Sequence, residues 1–406
     1  MPEYLAPGIY VEEVRGGARP IEMVGTRTAA FLGVAPDAGQ WVNVAKPCNN
    51  PSEFDRLFNP DGKDSTALSR AVYGFFANGG GRCYVVNIGD GGSVAGDPRK
   101  RTGVHALAAI DEIAIVAAPG YTDAASYEAL LAHCESCSDR FAILDAPEAA
   151  KDNPDALKEV GTVAAGGGDG GDGGDGGDTG TRRRKPAAGM RPRTSNYGAF
   201  YFPWIVIADG GAQVVQPPSG HLAGVYARVD AERGVHKAPA NEPIRGAIGL
   251  TYQVTQDEQG NLNSAGVNCI RFFSSSGIRI WGARTLDDAA SEYRYIPVRR
   301  LMLALRESIQ DGTRWVVFEP NDEGTWNTVA GDVRAFLMRQ WRAGALMGAT
   351  PEQAFFVKCD AETNPQDVID AGQLVTVIGV APVKPAEFVI FRISQWSGEA
   401  AATATA

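Results

Sequence analysis

From Thr28 to about Leu144, apolar runs of strand length alternate with segments of helical periodicity, and this alternation admits few folds. Thr28–Ala35, Arg82–Ile88, Ile113–Ala117 and Arg140–Asp145 read as strands. Ser65–Ala77, Gly103–Glu112 and Asp123–Cys137 read as the helices between them. Tyr127, Leu130, Leu131 and Cys134 recur at i, i+3, i+4 and i+7, which places them on one helical face. Strands joined through helices of this length pair in parallel, because a tight turn cannot return the chain in the same direction. The reading is an α/β domain with a largely parallel sheet.

The composition then breaks. Ala164–Arg184 is almost entirely glycine and aspartate before a run of arginines, and such a segment holds too little apolar surface to order itself. Residues 164–186 are therefore read as a loop inside the first domain. Ala199–Ile207 resumes as one strand-like run. Ser219–Arg233 reads as a helix capped by Ser219, and Val267–Thr285 as a hairpin turning at Ser274–Gly277. A second α/β unit follows, with helices at Val298–Gln310 and Val329–Gly344. Its strands are expected at Arg314–Glu319, Ala354–Cys359, Gln373–Val380 and Glu387–Ile393. The predicted division is 23–290 for the first α/β domain and 291–383 for the C-terminal one, α+β overall.

The two ends have strand character and no evident partner. Residues 1–22 contain Ile9-Tyr10-Val11-Glu12, and residues 384–396 contain Phe388, Ile390, Phe391 and Ile393 before a small-residue tail at 397–406. β-Branched and aromatic residues favour extended backbone. An unpaired strand edge is a template for another chain. The reading is of two arms that donate strands to neighbouring copies, with hinges at Gly16, Gly17 and Pro20 and at Pro382 and Pro385.

The remaining motifs point away from catalysis. Gly89-Asp90-Gly91-Gly92 follows a strand, but Ser93–Lys100 contains Gly96 and Pro98 and opens no helix to hold a phosphate. A nucleotide-binding enzyme using residues 89–92 is the alternative reading. Cys134 and Cys137, beside His133, have zinc spacing but no second pair and sit at a helix end, so they read as buried thiols. The aspartates of the glycine tract lack the apolar residue each calcium-binding repeat needs. No cofactor or metal is expected. A net charge of −10 argues against direct nucleic-acid binding. No apolar run is long enough for a membrane span, and the first residues have no signal-peptide pattern. On the helix at 329–344, Arg334, Arg339 and Arg342 cluster within roughly 140° at ~100° per residue. They form a solvated face or a docking surface for an acidic partner.

Several blocks in order resemble the contractile tail sheath proteins of phages and related injection systems. They are YLAPGIYVEEV at the start, GRCYVVNI (81–88), PPSGHLAGVYARVDAERGVHKAPAN (217–241), GVNCIRFFSSSGIRIWGARTL (266–286), YIPVRRLMLALRESIQDGTRWVVFEPND (295–322) and FVIFRIS (388–394). The glycine/aspartate tract departs from that pattern. The resemblance implies hexameric rings stacked helically around an inner tube and joined by the arms, with baseplate and cap proteins at the ends. Contraction drives the tube through a target envelope. It also implies an outward-facing first domain and an inward-facing C-terminal domain that contacts the tube through a helix, where Arg334, Arg339 and Arg342 are expected to meet the tube. Assembly is expected in the bacterial cytoplasm, as part of a phage tail or a particle released from the cell, with no direct contact to membrane.

Overall fold

The computed structural model describes residues 20–161 and 189–390. Thirteen strands occur there: β1 (Ala29–Gly33), β2 (Lys46–Cys48), β3 (Cys83–Asn87), β4 (Ile115–Ala117), β5 (Phe141–Asp145), β6 (Gly198–Phe202), β7 (Ile205–Asp209), β8 (Ala212–Gln216), β9 (Ala247–Leu250), β10 (Val267–Phe273), β11 (Gly277–Trp281), β12 (Phe355–Lys358) and β13 (Val377–Val380). The longer helices are α1 (Pro51–Phe58), α2 (Ala67–Ala77), α3 (Ala124–Cys137), α4 (Ser219–Arg233), α5 (Gln256–Ser264), α6 (Ile296–Gly312) and α7 (Glu323–Arg342).

Eight strands form one sheet in the order β11-β10-β6-β5-β4-β1-β3-β2. The six inner strands are parallel, and the edge strands β2 and β11 are antiparallel. Side chains alternate across it. Phe31, Val85, Phe141 and Ile143 point to the layer of α1, α2 and α4, whereas Leu32, Val86, Ala142 and Leu144 point to α3 and α5. Both faces are covered, which is why these strands read as continuous apolar runs. A smaller antiparallel sheet, β8-β7-β9, flanks the first layer.

α6 ties the molecule together. Ile296 and Leu303 pack into the first layer of the large sheet. Leu301 and Leu305 pack into a separate core with Val329, Val333, Phe336 and Leu337 of α7 and with Phe355 and Val357 of β12. Ile21 and Val235 join that second core.

Four sequence expectations are corrected. The run Ala199–Ile207 is broken at Pro203 into β6 and β7, which belong to different sheets. The helix expected over Gly103–Glu112 is a 3₁₀ turn at Gly103–Leu107. Ser219 is the first residue of α4 and does not cap it; its hydroxyl donates to Asp145 Oδ2 at 2.7 Å instead. The strand expected at Arg314–Glu319 is a 3₁₀ turn at Arg314–Val316, followed by a reverse turn. The helix expected at Val329–Gly344 begins earlier, at Glu323, and the strand expected at Gln373–Val380 covers only Val377–Val380. The other expected strands and helices lie within a few residues of their spans, apart from Glu387–Ile393, where Glu387–Ile390 carries no strand and the rest lies outside the described residues.

Candidate assembly interface

β12 and β13 form a two-stranded antiparallel sheet, with Phe356 opposite Gly379 and Val357 opposite Ile378. An isolated pair of strands is marginal in water. Here α7 covers one face through Val333 and Phe336, while Phe356 on the other is 57% exposed. Any side chain at position 379 would meet the Phe356 ring at 2.1 Å, so the glycine lets the ring lie flat across the ladder. Among the described residues, no third strand pairs with this sheet. An isolated bridge, Leu346 to Pro382, extends it at one end.

The segment from Ile21 to Thr26, which follows the expected N-terminal arm, is stitched to α6 and α4. Ile21 is buried against Gly312, where a Cβ would meet its side chain at 2.6 Å. The Val24 amide donates to Ser308 Oγ at 2.9 Å, and Thr26 Oγ1 donates to Asp230 Oδ2 at 2.6 Å. Arg300 holds both oxygens of Asp230, at 2.9 and 2.7 Å, and also donates to the Thr26 carbonyl. The two side chains are almost fully buried. Arg300 also stacks over Tyr226, 4.8 Å from its ring centre.

Glu387, near the start of the expected C-terminal arm, is held as firmly. Arg284 donates from Nε and Nη2 to the two oxygens of Glu387, each at 2.8 Å. Asn263 and Tyr295 donate to the same carboxylate at 2.7 and 3.1 Å. Burial raises the Glu387 pKa, but the donors, Arg284 first, outweigh it and leave the carboxyl below its ordinary value. The next three residues turn outward, with Phe388, Val389 and Ile390 at 71%, 69% and 80% exposure. Ile9, Tyr10, Val11, Glu12, Phe391 and Ile393 lie outside the described residues.

Arg334, Arg339 and Arg342 all lie exposed on α7. Arg334 donates to the Val357 carbonyl of β12 at 3.4 Å, and Arg339 to the Ile21 carbonyl. Among the described residues none of the three forms an ion pair. The helix thus touches the two-stranded sheet and Ile21, with cationic side chains left facing water. The sequence pattern found the cations but missed Arg284–Glu387 and Arg300–Asp230, because their partners lie 103 and 70 residues away.

The enzyme motifs are not brought into a site. Gly89 and Gly91 are turn residues with φ of 71° and 70°, and no helix opens behind them to aim amides at a phosphate. Cys134 is buried, and His133 Nε2 sits 3.8 Å from Cys137 Sγ and 3.3 Å from Arg140. Burial, with the nearby Arg140 charge, pushes His133 down to about 4, and burial pushes the Cys137 thiol up. These are neutral packed groups.

Comparison with known proteins gives a consistent answer. Residues 100–286 match the phage tail sheath protein central domain, and residues 288–395 match the phage tail sheath C-terminal domain. The tail sheath protein of Vibrio phage KVP40 is 29% identical over 187 residues, 45% of this chain and 27% of that protein. A putative prophage major tail sheath protein of Pseudomonas aeruginosa is 30% identical over 45% of this chain and 47% of its own length. The chain thus aligns with about a quarter to a half of these curated relatives. Solved structures are matched almost end to end. A chain of the anti-feeding prophage baseplate superposes with a TM-score of 0.74 at 30% identity, over 97% of this chain and 99% of that one. The sheath complex of the extracellular contractile injection system PVC, in its contracted state, gives 0.74 at 29%, over 98% and 99%.

Proposed function

Since the chain belongs to the phage tail sheath family, sheaths of extracellular contractile injection systems included, we propose that it is the structural subunit of a contractile sheath. Copies polymerise as stacked hexameric rings around an inner tube, and contraction of the array drives the tube through a target envelope. The reading is supported by the β12–β13 sheet, which among the described residues has no third strand, and by the firmly anchored segments at Thr26 and Glu387. A two-stranded sheet gains most from added strands, and main-chain hydrogen bonds supply affinity without a fixed domain orientation. The arm residues Ile9, Tyr10, Val11 and Glu12, and Phe388, Ile390, Phe391 and Ile393, are the donated strands in this reading.

The domains divide as 1–22, 23–290, 291–383 and 384–396, the last two forming the C-terminal core and its arm. Arg334, Arg339 and Arg342 face the tube. Exposed ion pairs are each worth only ~0–1 kcal/mol, so such contacts can be exchanged as subunits rotate. Further partners are the baseplate and cap proteins, and assembly takes place in the bacterial cytoplasm, within a phage tail or tail-like particle. Removal of residues 1–15 tests the reading. Negative-stain micrographs should show tubes or rings for the whole chain and only folded single subunits for the truncated one. Normal tubes from the truncated chain would overturn strand donation.

A further inference from the structure

The reverse turn after α6 is costly in two separate ways. Val317 has φ −65° and ψ 122°, Phe318 has φ +72°, and the Glu319 amide donates to the Val316 carbonyl at 3.0 Å. This is a type II turn, whose third position favours glycine. A phenylalanine there is strained. Its side chain is also fully in water, at 102% exposure, with Val317 beside it at 64%. The turn is nevertheless fixed. Asn321 donates to the Gln373 carbonyl at 2.7 Å and accepts from Trp326 Nε1 at 2.7 Å. The rim is acidic: Glu319, Asp322 and Glu323 are exposed and, among the described residues, have no ion-pair partner.

A second strained surface, on the large domain, has the opposite character. Trp41, Asn43 and Arg101 have φ of 51°, 57° and 52°. Trp41, Val42 and Val44 are 43%, 41% and 43% exposed. Lys46 Nζ lies 3.6 Å from the centre of the Trp41 ring. The Gly103 amide donates to Asn43 Oδ1 at 2.8 Å, which brings the loop carrying Arg99, Lys100 and Arg101 alongside. Those three are exposed and, among the described residues, have no carboxylate partner. The buried Asn87 side chain braces the patch by donating to the carbonyls of Asp37, Ala38 and Gln40.

We propose that Phe318 of one copy seats on the Trp41–Val44 face of a second copy, with Glu319, Asp322 and Glu323 against Lys46, Arg99, Lys100 and Arg101. The inference rests on the sheath reading and adds a contact separate from the donated strands. An aromatic anchor meets an apolar face, and the two rims carry opposite charge. The two surfaces are different patches of one chain, so the contact is head-to-tail and propagates along an array.

Phe318→p-benzoylphenylalanine in the full-length chain tests it. Irradiated tubes should yield a product of twice the chain mass, joining position 318 to a peptide containing residues 41–46 or 98–101. An adduct on another part of the chain or on another protein, or tubes without an adduct, overturns the contact. Absence of tubes from the unsubstituted chain overturns the sheath reading itself, and this contact with it. Phe318→Gly supplies the second arm. It relaxes the turn, so the isolated subunit should melt at a higher temperature, yet tube yield should fall at least tenfold. Unchanged yield overturns the proposal.

Discussion

The Glu307 carboxyl on α6 stands against the carboxylates of Asp139, Asp311 and Asp111, with Arg140 nearby. Burial first, and then Asp139 and Asp311, push its pKa up to about 7. A carboxyl whose folded pKa exceeds its unfolded value is more readily protonated in the fold. Its contribution is therefore most favourable below the ordinary value of 4.5, declines as pH rises toward 7, and is lost above that. Glu307→Gln should raise the melting temperature at pH 8 by a few degrees and leave it little changed at pH 4.5; differential scanning calorimetry at the two pH values checks this. Arg300 is a case of the opposite kind. Arg300→Ala strands the buried Asp230 carboxylate, and the expected loss is about 3–5 kcal/mol by denaturant unfolding. Neither effect was visible in the sequence, where Glu307 and Arg300 look like ordinary charged positions on an amphipathic helix. Which charges are buried depends on α6 lying between two cores, and helical periodicity says nothing of that.

Among the elements, α7 carries the C-terminal core. Phe336 is fully buried between β12 and the neighbouring helix, and Phe336→Ala should cost about 3–5 kcal/mol, measured by chemical denaturation. Ile390→Pro should leave stability unchanged, because Ile390 is exposed in the single subunit, but it removes a ladder donor from the arm. Electron micrographs should then show folded subunits and no tubes. The alternation of strand and helix was legible through Asp145 because both faces of the sheet are buried and each strand is uniformly apolar. It misled at three places. Gly103–Glu112 has the length of a helix but forms only a 3₁₀ turn at Gly103–Leu107. Trp204–Ile207 continues the apolar run of β6, but the chain changes sheets at Pro203. The β-branched residues of Arg314–Glu319 read as a strand, yet Val317 and Phe318 are displayed outward on a turn. In that segment, composition answers to a surface and not to a sheet. The strand character read into the two ends falls mostly on residues 1–19 and 391–406, outside the described residues, and the buried anchors at Glu387 and Thr26 left no local signal in the sequence.

At the scale of the whole molecule, the described residues on either side of the glycine/aspartate tract lie together. The Gly161 amide donates to the Arg191 carbonyl at 2.8 Å, and Val160 bridges to Arg191. Two chain segments paired in this way need only a short link. Replacing residues 162–188 with a few glycines and serines should therefore leave the melting temperature and tube formation unchanged, as read by calorimetry and electron microscopy.

The two anchored segments, at Thr26 and at Glu387, have a mechanical consequence. In the proposed sheath, tension entering at Glu387 would pass through Arg284 and Tyr295 to the start of α6, and leave along that helix through Arg300 and Ser308 to the segment at Thr26 and Val24. This line of force is short and runs beside the eight-stranded sheet, across none of its ladders. In that reading the part of the chain built on the eight-stranded sheet hangs from this link, and its size does not set the link's length.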